Sequence, residues 1–249
     1  MNEFYVGYLP KAPAGIARRI KMLIAVVLVL GTVAAITFAR VQNTFSPSTF
    51  EYGKPRTLEG VIESNPFPTL VMTGSGATDT QTKRYLLVAT GKHGADSQVK
   101  PYVGRTVRLR GTLIYRNNQS MIELVKDSIA LTADTREVPA PMTNLGTFTL
   151  TGEIVDSKCY LGVMNPSNGK VHRDCAVRCL SGGIPPIFAT NDFRGITAIL
   201  LLTDEAGKPL PKQAFLNLVG QPVRAHGKVL QAGDTLFLQI EPRAISPLS

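Results

Sequence analysis

The residue types that could do chemistry in this chain are concentrated in one segment. It holds all three cysteines of the 249 residues together with one of the three histidines: Cys159, His172, Cys175 and Cys179. Thiolate and imidazole groups bind Zn²⁺ and copper, and thiols also pair as disulfides or react as nucleophiles. The segment therefore indicates a metal site, a structural disulfide or thiol redox chemistry.

The second half of this segment predicts a helix of about three turns. Residues 170–180 contain no Gly or Pro, and Gly-Gly at 182–183 followed by Pro-Pro at 185–186 is a strong helix stop. Three of the four residues then fall at i, i+3 and i+7 on one helical face: His172, Cys175 and Cys179. Cys159 ends the preceding strand and could face that helix, which would complete a Cys/His/Cys/Cys set.

A metal site would use Cys159, His172, Cys175 and Cys179, with Zn²⁺ or copper as the ion and Met164 as a further soft candidate ligand. The geometry of a helix limits how many of these ligands a single ion can bind. His172 and Cys179 are seven residues apart, which is about 10.5 Å of helix rise. Because one ion holds its ligands at roughly 2.0–2.3 Å, a straight helix supplies two neighbouring ligands and supplies all three only if it is broken.

The elements that would position these residues form an internal repeat. After a polar linker, short apolar strands alternate with Gly, Pro and Asn, which is an all-β pattern. Each copy has the strand order of a small five-stranded OB-like barrel, with a generic β-sandwich as the alternative. The matched segments are 58–62 with 150–154, 85–88 with 199–202, 102–111 with 218–227, and 121–124 with 236–240.

The alignment of the two copies predicts the domain boundaries. We expect OB-like domains over residues 56–135 and 148–249, and linkers over 41–55 and 136–147. The offset between the copies grows from 92 to 114 positions after the first matched pair, so the second copy carries about 22 extra residues between its first two strands. All three cysteines fall in this insertion, which we place at 156–190.

An uncharged N-terminal stretch predicts one transmembrane helix. Residues 22–39 would span about 27 Å, close to the hydrocarbon thickness of a bilayer, and we place the helix at 20–40 after a tail at 1–19. The basic residues near the stretch lie mostly before it: Lys11, Arg18, Arg19 and Lys21, with Arg40 after it. The positive-inside rule then predicts a cytoplasmic tail and periplasmic domains on a single-pass inner-membrane protein, with a cleaved signal peptide as the alternative.

The net charge of +9 does not indicate nucleic-acid binding. Without residues 1–40 the chain has 22 basic and 17 acidic residues, and it contains no Trp on which bases could stack. The signatures of hydrolases, nucleotide-binding loops and c-type haem attachment are also missing from the sequence. We therefore predict no nucleic-acid partner and name no catalytic residue.

An extracytoplasmic location favours a disulfide over the metal site at the cysteines. The simplest bridges join Cys159 to Cys175 or to Cys179, and would staple the insertion to its barrel. One thiol is then left over, and His172 could activate Cys175. A Cys175–Cys179 redox pair is the third interpretation, although its spacing is not the Cys-x-x-Cys of thioredoxin-like enzymes.

The cysteine pattern also resembles that of a known group of domains. Asp-x-x-Cys-Tyr at 156–160, then Gly169, His172, Cys175-Ala176 and Cys179, then Gly-Gly-Ile-Pro at 182–185, is similar to a motif of poorly characterised bacterial exported or membrane-anchored OB-like domains. The similarity extends over about residues 148–245. The resemblance implies an exported β domain and transfers no catalytic role.

These observations predict a non-catalytic accessory or binding protein. It would be anchored in the membrane beside a neighbouring membrane or periplasmic subunit of a larger complex, and the insertion of its second barrel would be the specialised site. The alternative is a thiol- or metal-dependent redox protein, or a metal or haem carrier. That alternative would use the Cys159, His172, Cys175 and Cys179 cluster.

Overall fold

The protein is described by a computed structural model that covers residues 12–44, 48–73, 82–117, 119–132 and 142–248. Two compact units are present. The N-terminal unit ends at Pro47, and the body runs from Ser48 to the C-terminus.

The N-terminal unit contains one long helix, α1, Ala14–Thr44. Its portion from Ala14 to Val41 is long and apolar enough to cross a membrane. The two threonine hydroxyls in this portion donate hydrogen bonds of 2.8 Å to carbonyl oxygens one turn earlier, Thr32 to Leu28 and Thr37 to Val33, so the helix satisfies these polar groups itself. The helix is longer than the predicted 20–40 because residues 16–19 and 41–44 contain no Gly or Pro, and it begins directly after Pro13.

The first barrel is a closed sheet of five strands with two additions. The strand order around the barrel is β2-β3-β4-β6-β5 and back to β2, with β4 and β6 parallel and the other pairs antiparallel. β1 and β7 each pair with β5. The strands are β1 Ser48–Phe50, β2 Arg56–Glu63, β3 Thr69–Thr73, β4 Thr82–Val88, β5 Thr106–Arg116, β6 Gln119–Leu124 and β7 Ala130–Leu131.

The second barrel repeats this topology. Its order is β8-β9-β10-β12-β11 and back to β8, with β10 parallel to β12, and β13 extends the sheet beside β11. The strands are β8 Thr143–Asp156, β9 Pro186–Phe193, β10 Ile196–Thr203, β11 Pro222–Ala232, β12 Thr235–Gln239 and β13 Ile245–Pro247. Two closed five-stranded OB-like barrels therefore confirm the predicted fold class, and closure rules out the sandwich.

The glycine repeated in the first strand of each copy has a packing role. A Cβ on Gly152 would overlap the carbonyl oxygen of Ala189 and the ring of Phe188, and one on Gly60 would overlap the carbonyl oxygen of Val71. Only a residue without a side chain lets the first strand coil this closely over the second. The repeated Gly is thus part of barrel closure.

The remaining regular structure is short. The insertion contains a wide turn over Cys159–Val163 and the helix α3, Arg173–Ser181. The helix α2 covers Asp96–Val99 in the first barrel. Single 3₁₀ turns occur at Lys100–Tyr102, Lys212–Ala214, Leu216–Leu218 and Pro242–Ala244.

The segments predicted as linkers contain more structure than expected. The first, 41–55, includes the end of α1 and the strand β1, which pairs with residues 114–116 of β5. The second, 136–147, includes the start of β8, because that strand continues to pair with β11 back to Thr143; residues 133–141 lie outside the described part of the chain. Strand pairing across long sequence separations overrides the polar composition of these segments.

The two barrels pack against each other through a shared hydrophobic cluster. The first barrel contributes Phe67, Leu86, Val88, Ile114 and Met121; the second contributes Val155, Cys159, Tyr160, Leu161, Cys179, Ile184, Ile187, Ile199, Leu201, Ala232 and Phe237. Several of these belong to the cysteine insertion, so the insertion is wedged between the barrels and does not project from the surface. Burying this apolar area holds the body together as one unit.

A buried lysine reinforces the contact between the barrels. Lys158, from the insertion, is only 3% exposed. Its ammonium donates to the carbonyl oxygens of Ala89 and Gly91 at 2.8 and 2.7 Å and pairs with a carboxylate oxygen of Glu123 at 2.5 Å. All three partners belong to the first barrel. Such a fully satisfied buried cation fixes how the two barrels dock.

Candidate thiol and metal site

The helix α3 ends where the sequence predicted and begins at Arg173, three residues after the predicted start. His172 is the residue before its first turn and accepts the backbone N–H of Ala176 at 3.0 Å, and the helix stops at Gly182-Gly183, with Gly183 at φ +98°. A Cβ on Gly182 would overlap the carbonyl oxygen of Lys92. The glycine pair therefore ends the helix and also admits the loop of the first barrel that contains Lys92.

A single buried carboxylate positions two of the predicted site residues. Asp156 ends β8 and is fully buried. One of its oxygens accepts the backbone N–H of Cys159 at 2.8 Å, and the other lies 3.0 Å from Nε2 of His172. Asp156 thus holds the turn that carries Cys159 and orients the imidazole that faces it.

The structure brings the four predicted residues together in two overlapping groups. The ligating atoms of Cys159, His172 and Cys175 lie within 4.8 Å of one another, and so do those of Asp156, Cys159 and Cys179. Neither group contains both His172 and Cys179, as expected for residues seven positions apart at a straight helix. Cys159 is common to both groups and is the centre of the cluster.

Only one side of the cluster is open to solvent. Cys159, His172 and Cys179 are at most 3% exposed, whereas Cys175 is half-buried. All three cysteines are free thiols in the structure, so the predicted structural disulfide stays a prediction. Any solute that reaches the cluster meets Cys175 first.

Lys92, from the first barrel, completes the site. Its ammonium donates to Sγ of Cys175 at 2.8 Å and lies 3.6 Å from Sγ of Cys179. The hydrogen bond with Cys175 is the largest influence on Lys92 and raises the pKa of its ammonium, which keeps the positive charge beside the sulfurs. Lys92 was not predicted as a site residue, because nothing in the sequence indicates which first-barrel loop meets the insertion.

The two most buried thiols differ in acidity. A hydrogen bond from the Cys159 thiol is the main reason that the pKa of Cys179 falls from 9.0 to about 7, and the charge of Lys92 helps while burial opposes. The pKa of Cys159 is raised, first by that same hydrogen bond and then by burial and the charge of Asp156. Cys179 therefore ionises first, and Cys159 needs a proton acceptor or a metal ion before its sulfur can react.

The other two histidines lie in different surroundings. His226, on β11, is exposed, and its Nδ1 is 2.8 Å from the hydroxyl of Thr149. It borders an open cavity of about 360 Å³ whose lining contains none of the three cysteines. His93 follows Lys92 in the loop and is exposed. Neither histidine is therefore part of the cysteine cluster.

No protein-family model matches this chain, and no curated protein does. What the site can do chemically therefore follows from its own groups. They are three thiols, an imidazole oriented by a carboxylate, and one ammonium.

Proposed function

We propose that this protein is a membrane-anchored, non-catalytic binding protein that holds one thiophilic metal ion, Zn²⁺ or Cu⁺, in the insertion of its second barrel. The observation that carries this proposal is the grouping of Cys159, His172 and Cys175 within 4.8 Å. Ligand atoms on one tetrahedral Zn²⁺ are roughly 3.5–3.8 Å apart. Small side-chain movements would close the group around an ion.

The hydrogen bond between His172 and Asp156 supports a ligand role for the imidazole. If Nε2–H donates to the carboxylate, Nδ1 retains the lone pair that a metal needs. Metal-binding histidines are commonly oriented by a carboxylate in this way, and the partner also makes the imidazole a stronger donor. The buried carboxylate of Asp156 thus orients the His172 imidazole for metal binding, which an apolar residue could not do.

Charge balance supports the same ion class. Two thiolates and one neutral imidazole balance Zn²⁺, whereas Cu⁺ leaves one negative charge, which the Lys92 ammonium is placed to offset. Cys179, in contact with Cys159, is the candidate fourth ligand. Soft sulfur donors disfavour Mg²⁺ and Ca²⁺ at this site.

The N-terminal helix supports the rest of the proposal. The apolar stretch of α1 at residues 22–39 has four basic residues before it and Arg40 after it, which favours a cytoplasmic N-terminus and an extracytoplasmic body on the inner membrane. The resemblance to exported or membrane-anchored bacterial domains agrees with an extracytoplasmic body. We therefore place the metal site beside a neighbouring membrane or periplasmic subunit, for which this protein is an accessory.

The test is metal retention by the full-length protein in detergent, reduced and then dialysed against Zn²⁺ or Cu⁺. We expect one ion per chain by native mass and elemental analysis, and sulfur and nitrogen ligands by X-ray absorption. Cys175→Ser and His172→Ala should lose the ion, while His226→Ala, at an exposed histidine outside the cluster, should keep it. Failure of the reduced wild type to retain an ion would reject the proposal, as would full retention by Cys175→Ser.

The structural disulfide predicted from the sequence is the competing interpretation. It requires that the protein isolated without reductant has a single alkylatable cysteine after denaturation and no bound metal. Three alkylatable cysteines together with one bound ion support the metal site.

A further inference from the structure

The three thiols of the cluster differ sharply in how they can be reached. Cys159 and Cys179 are 3% and 2% exposed, and both belong to the hydrophobic cluster between the barrels. Cys175 is half-buried and lies at the open side. A soluble thiol reagent can therefore attack, or be attacked by, only one of the three sulfurs without the barrels separating.

That accessible sulfur has a cation beside it. The Lys92 ammonium donates a hydrogen bond to Sγ of Cys175 at 2.8 Å. Charge-assisted hydrogen bonds of this kind stabilise negative charge on sulfur, which a thiol carries both when it attacks a disulfide and when it leaves one. The arrangement favours exchange at Cys175 in both directions.

A second thiol lies within reach behind the first. Sγ of Cys159 and Sγ of Cys175 belong to a group whose atoms are all within 4.8 Å of one another. Cys159 lies in the wide turn Cys159–Val163 and Cys175 lies in α3, so the two sulfurs face each other from different elements of the insertion. A modest movement of that turn would bring the two sulfurs to bonding distance.

We propose that this site performs thiol–disulfide exchange with small disulfides, with Cys175 as the attacking thiol and Cys159 as the resolving thiol. In the first step Cys175 Sγ attacks one sulfur of the disulfide RS–SR. A Cys175–SR bond forms, the RS–SR bond breaks, and RS⁻ leaves.

In the second step the imidazole of His172, whose ligating nitrogen lies within 4.8 Å of Sγ of Cys159, takes the proton of the Cys159 thiol, and Cys159 Sγ attacks Sγ of Cys175. A Cys159–Cys175 bond forms, the bond to SR breaks, and the second RS⁻ leaves. The protons of the two protein thiols end on the two released RSH molecules, so the protein is oxidised by two electrons and the small disulfide is reduced. Cys179 takes no covalent part.

This activity goes beyond metal binding and does not depend on it. The two are mutually exclusive in one molecule, because the disulfide consumes the sulfurs of Cys159 and Cys175 that would bind the ion. Oxidation of the loaded protein by a small disulfide should therefore expel the metal.

The experiment uses the full-length protein in detergent, reduced, stripped of metal by a chelator and then mixed with oxidised glutathione. Acid-quenched samples are followed by intact mass and by peptide mapping. The wild type should pass through one glutathione on Cys175 and end with a Cys159–Cys175 disulfide and no glutathione. Cys159→Ala should stop at one glutathione on Cys175, while Cys175→Ala should take up none while folded.

Cys179→Ala tests the pairing, because it removes the other buried thiol and the Cys159–Cys175 disulfide should still form. His226→Ala, at an exposed histidine outside the cluster, is the matched control and should behave as the wild type. A final disulfide that includes Cys179, or a folded Cys159→Ala that does not accumulate the adduct, would overturn the assignment. If the Cys159 variant does not fold, the order in which the adduct and the disulfide form in the wild type tests the assignment. An adduct on Cys175 that precedes the disulfide supports the proposal, and a first adduct on another cysteine rejects it.

The same sample separates this proposal from the metal site. Exchange is measured on metal-free protein, and metal retention is measured in reductant. Either activity can therefore fail while the other is present.

Discussion

The two barrels share one strand order and differ at one connection. In the first barrel β2 is joined to β3 by the five residues from Ser64 to Pro68; in the second, β8 is joined to β9 by the 29 residues from Ser157 to Pro185. The short connection is a turn, while the long one contains the three cysteines and His172 and fills the space between the barrels. The repeated architecture is a scaffold, and the chemistry was added to a single copy.

The first barrel nevertheless contributes to the site of the second. Its loop before α2 supplies the Lys92 ammonium, and the carbonyl groups of the same loop hold Lys158 of the insertion. The comparison therefore predicts that equivalent positions in the two copies have very different sensitivity to substitution. It also predicts that Lys92, although it belongs to the first barrel, affects the ionisation of the cysteines in the second.

The largest effect is expected at Asp156. Asp156→Ala removes hydrogen bonds to the Cys159 amide and to His172 in a fully buried place, so we expect a loss of about 3–5 kcal/mol in the free energy of unfolding and loss of metal retention. The equivalent position of the first copy is Ser64, which is exposed. Ser64→Ala should change stability by less than about 0.5 kcal/mol in the same denaturant titration. Similar losses from both substitutions would refute the proposed asymmetry.

Lys158 should have the next largest effect. Lys158→Met leaves Glu123 without its cation and the carbonyl oxygens of Ala89 and Gly91 without this donor, which should cost about 2–3 kcal/mol. Hydrogen exchange should also quicken in residues 89–91, since their loop loses its anchor. Lys126→Met, at an exposed first-barrel lysine, is the control and should leave both measurements unchanged. An equally stable Lys158→Met would show that the hydrophobic cluster alone holds the barrels together.

The smallest expected effect is a shift in thiolate titration. In the metal-free reduced protein, the ultraviolet absorbance of thiolate should rise with a midpoint near pH 7, from Cys179. Cys159→Ala should move that midpoint up the most, because the hydrogen bond from Cys159 is the main cause of the low pKa, and Lys92→Met should move it up less. If neither substitution changes the pH midpoint, the ionisation of Cys179 does not depend on Cys159 or on Lys92 of the first barrel, and the prediction is wrong.

The lowered pKa of Cys179 also predicts that the free energy of unfolding depends on pH. The pKa of Cys179 is lower in the folded protein than the ordinary 9.0, so its contribution to stability is complete above pH 9. That contribution is lost as the pH falls through about 7. Denaturant titrations of the wild type and of Cys179→Ala between pH 9 and pH 7 measure the difference.

The repeat made much of the fold predictable. Paired segments such as 102–111 and 218–227 gave the strand order, and the glycines at 182–183 gave the end of α3, because strand period, turn residues and helix stops are local properties. The association of Cys159 with the helix cysteines followed from the same local pattern. The role of Asp156 could not be assigned, because its contact with His172 spans 16 positions of the insertion. Lys92 could not be assigned a role either, because Cys175 is 83 positions away and the contact depends on how the barrels dock, which no local pattern encodes.

The position of the cysteines inside the contact between the barrels has a consequence for how the protein matures. The first barrel is synthesised before the second, so the loop with Lys92 exists before the thiols that it will cover. Until the second barrel docks, all three thiols are open to any oxidant or metal ion, and afterwards only Cys175 is. Docking is therefore the event after which the three thiols differ in their access to solvent, with Cys175 open and the other two buried.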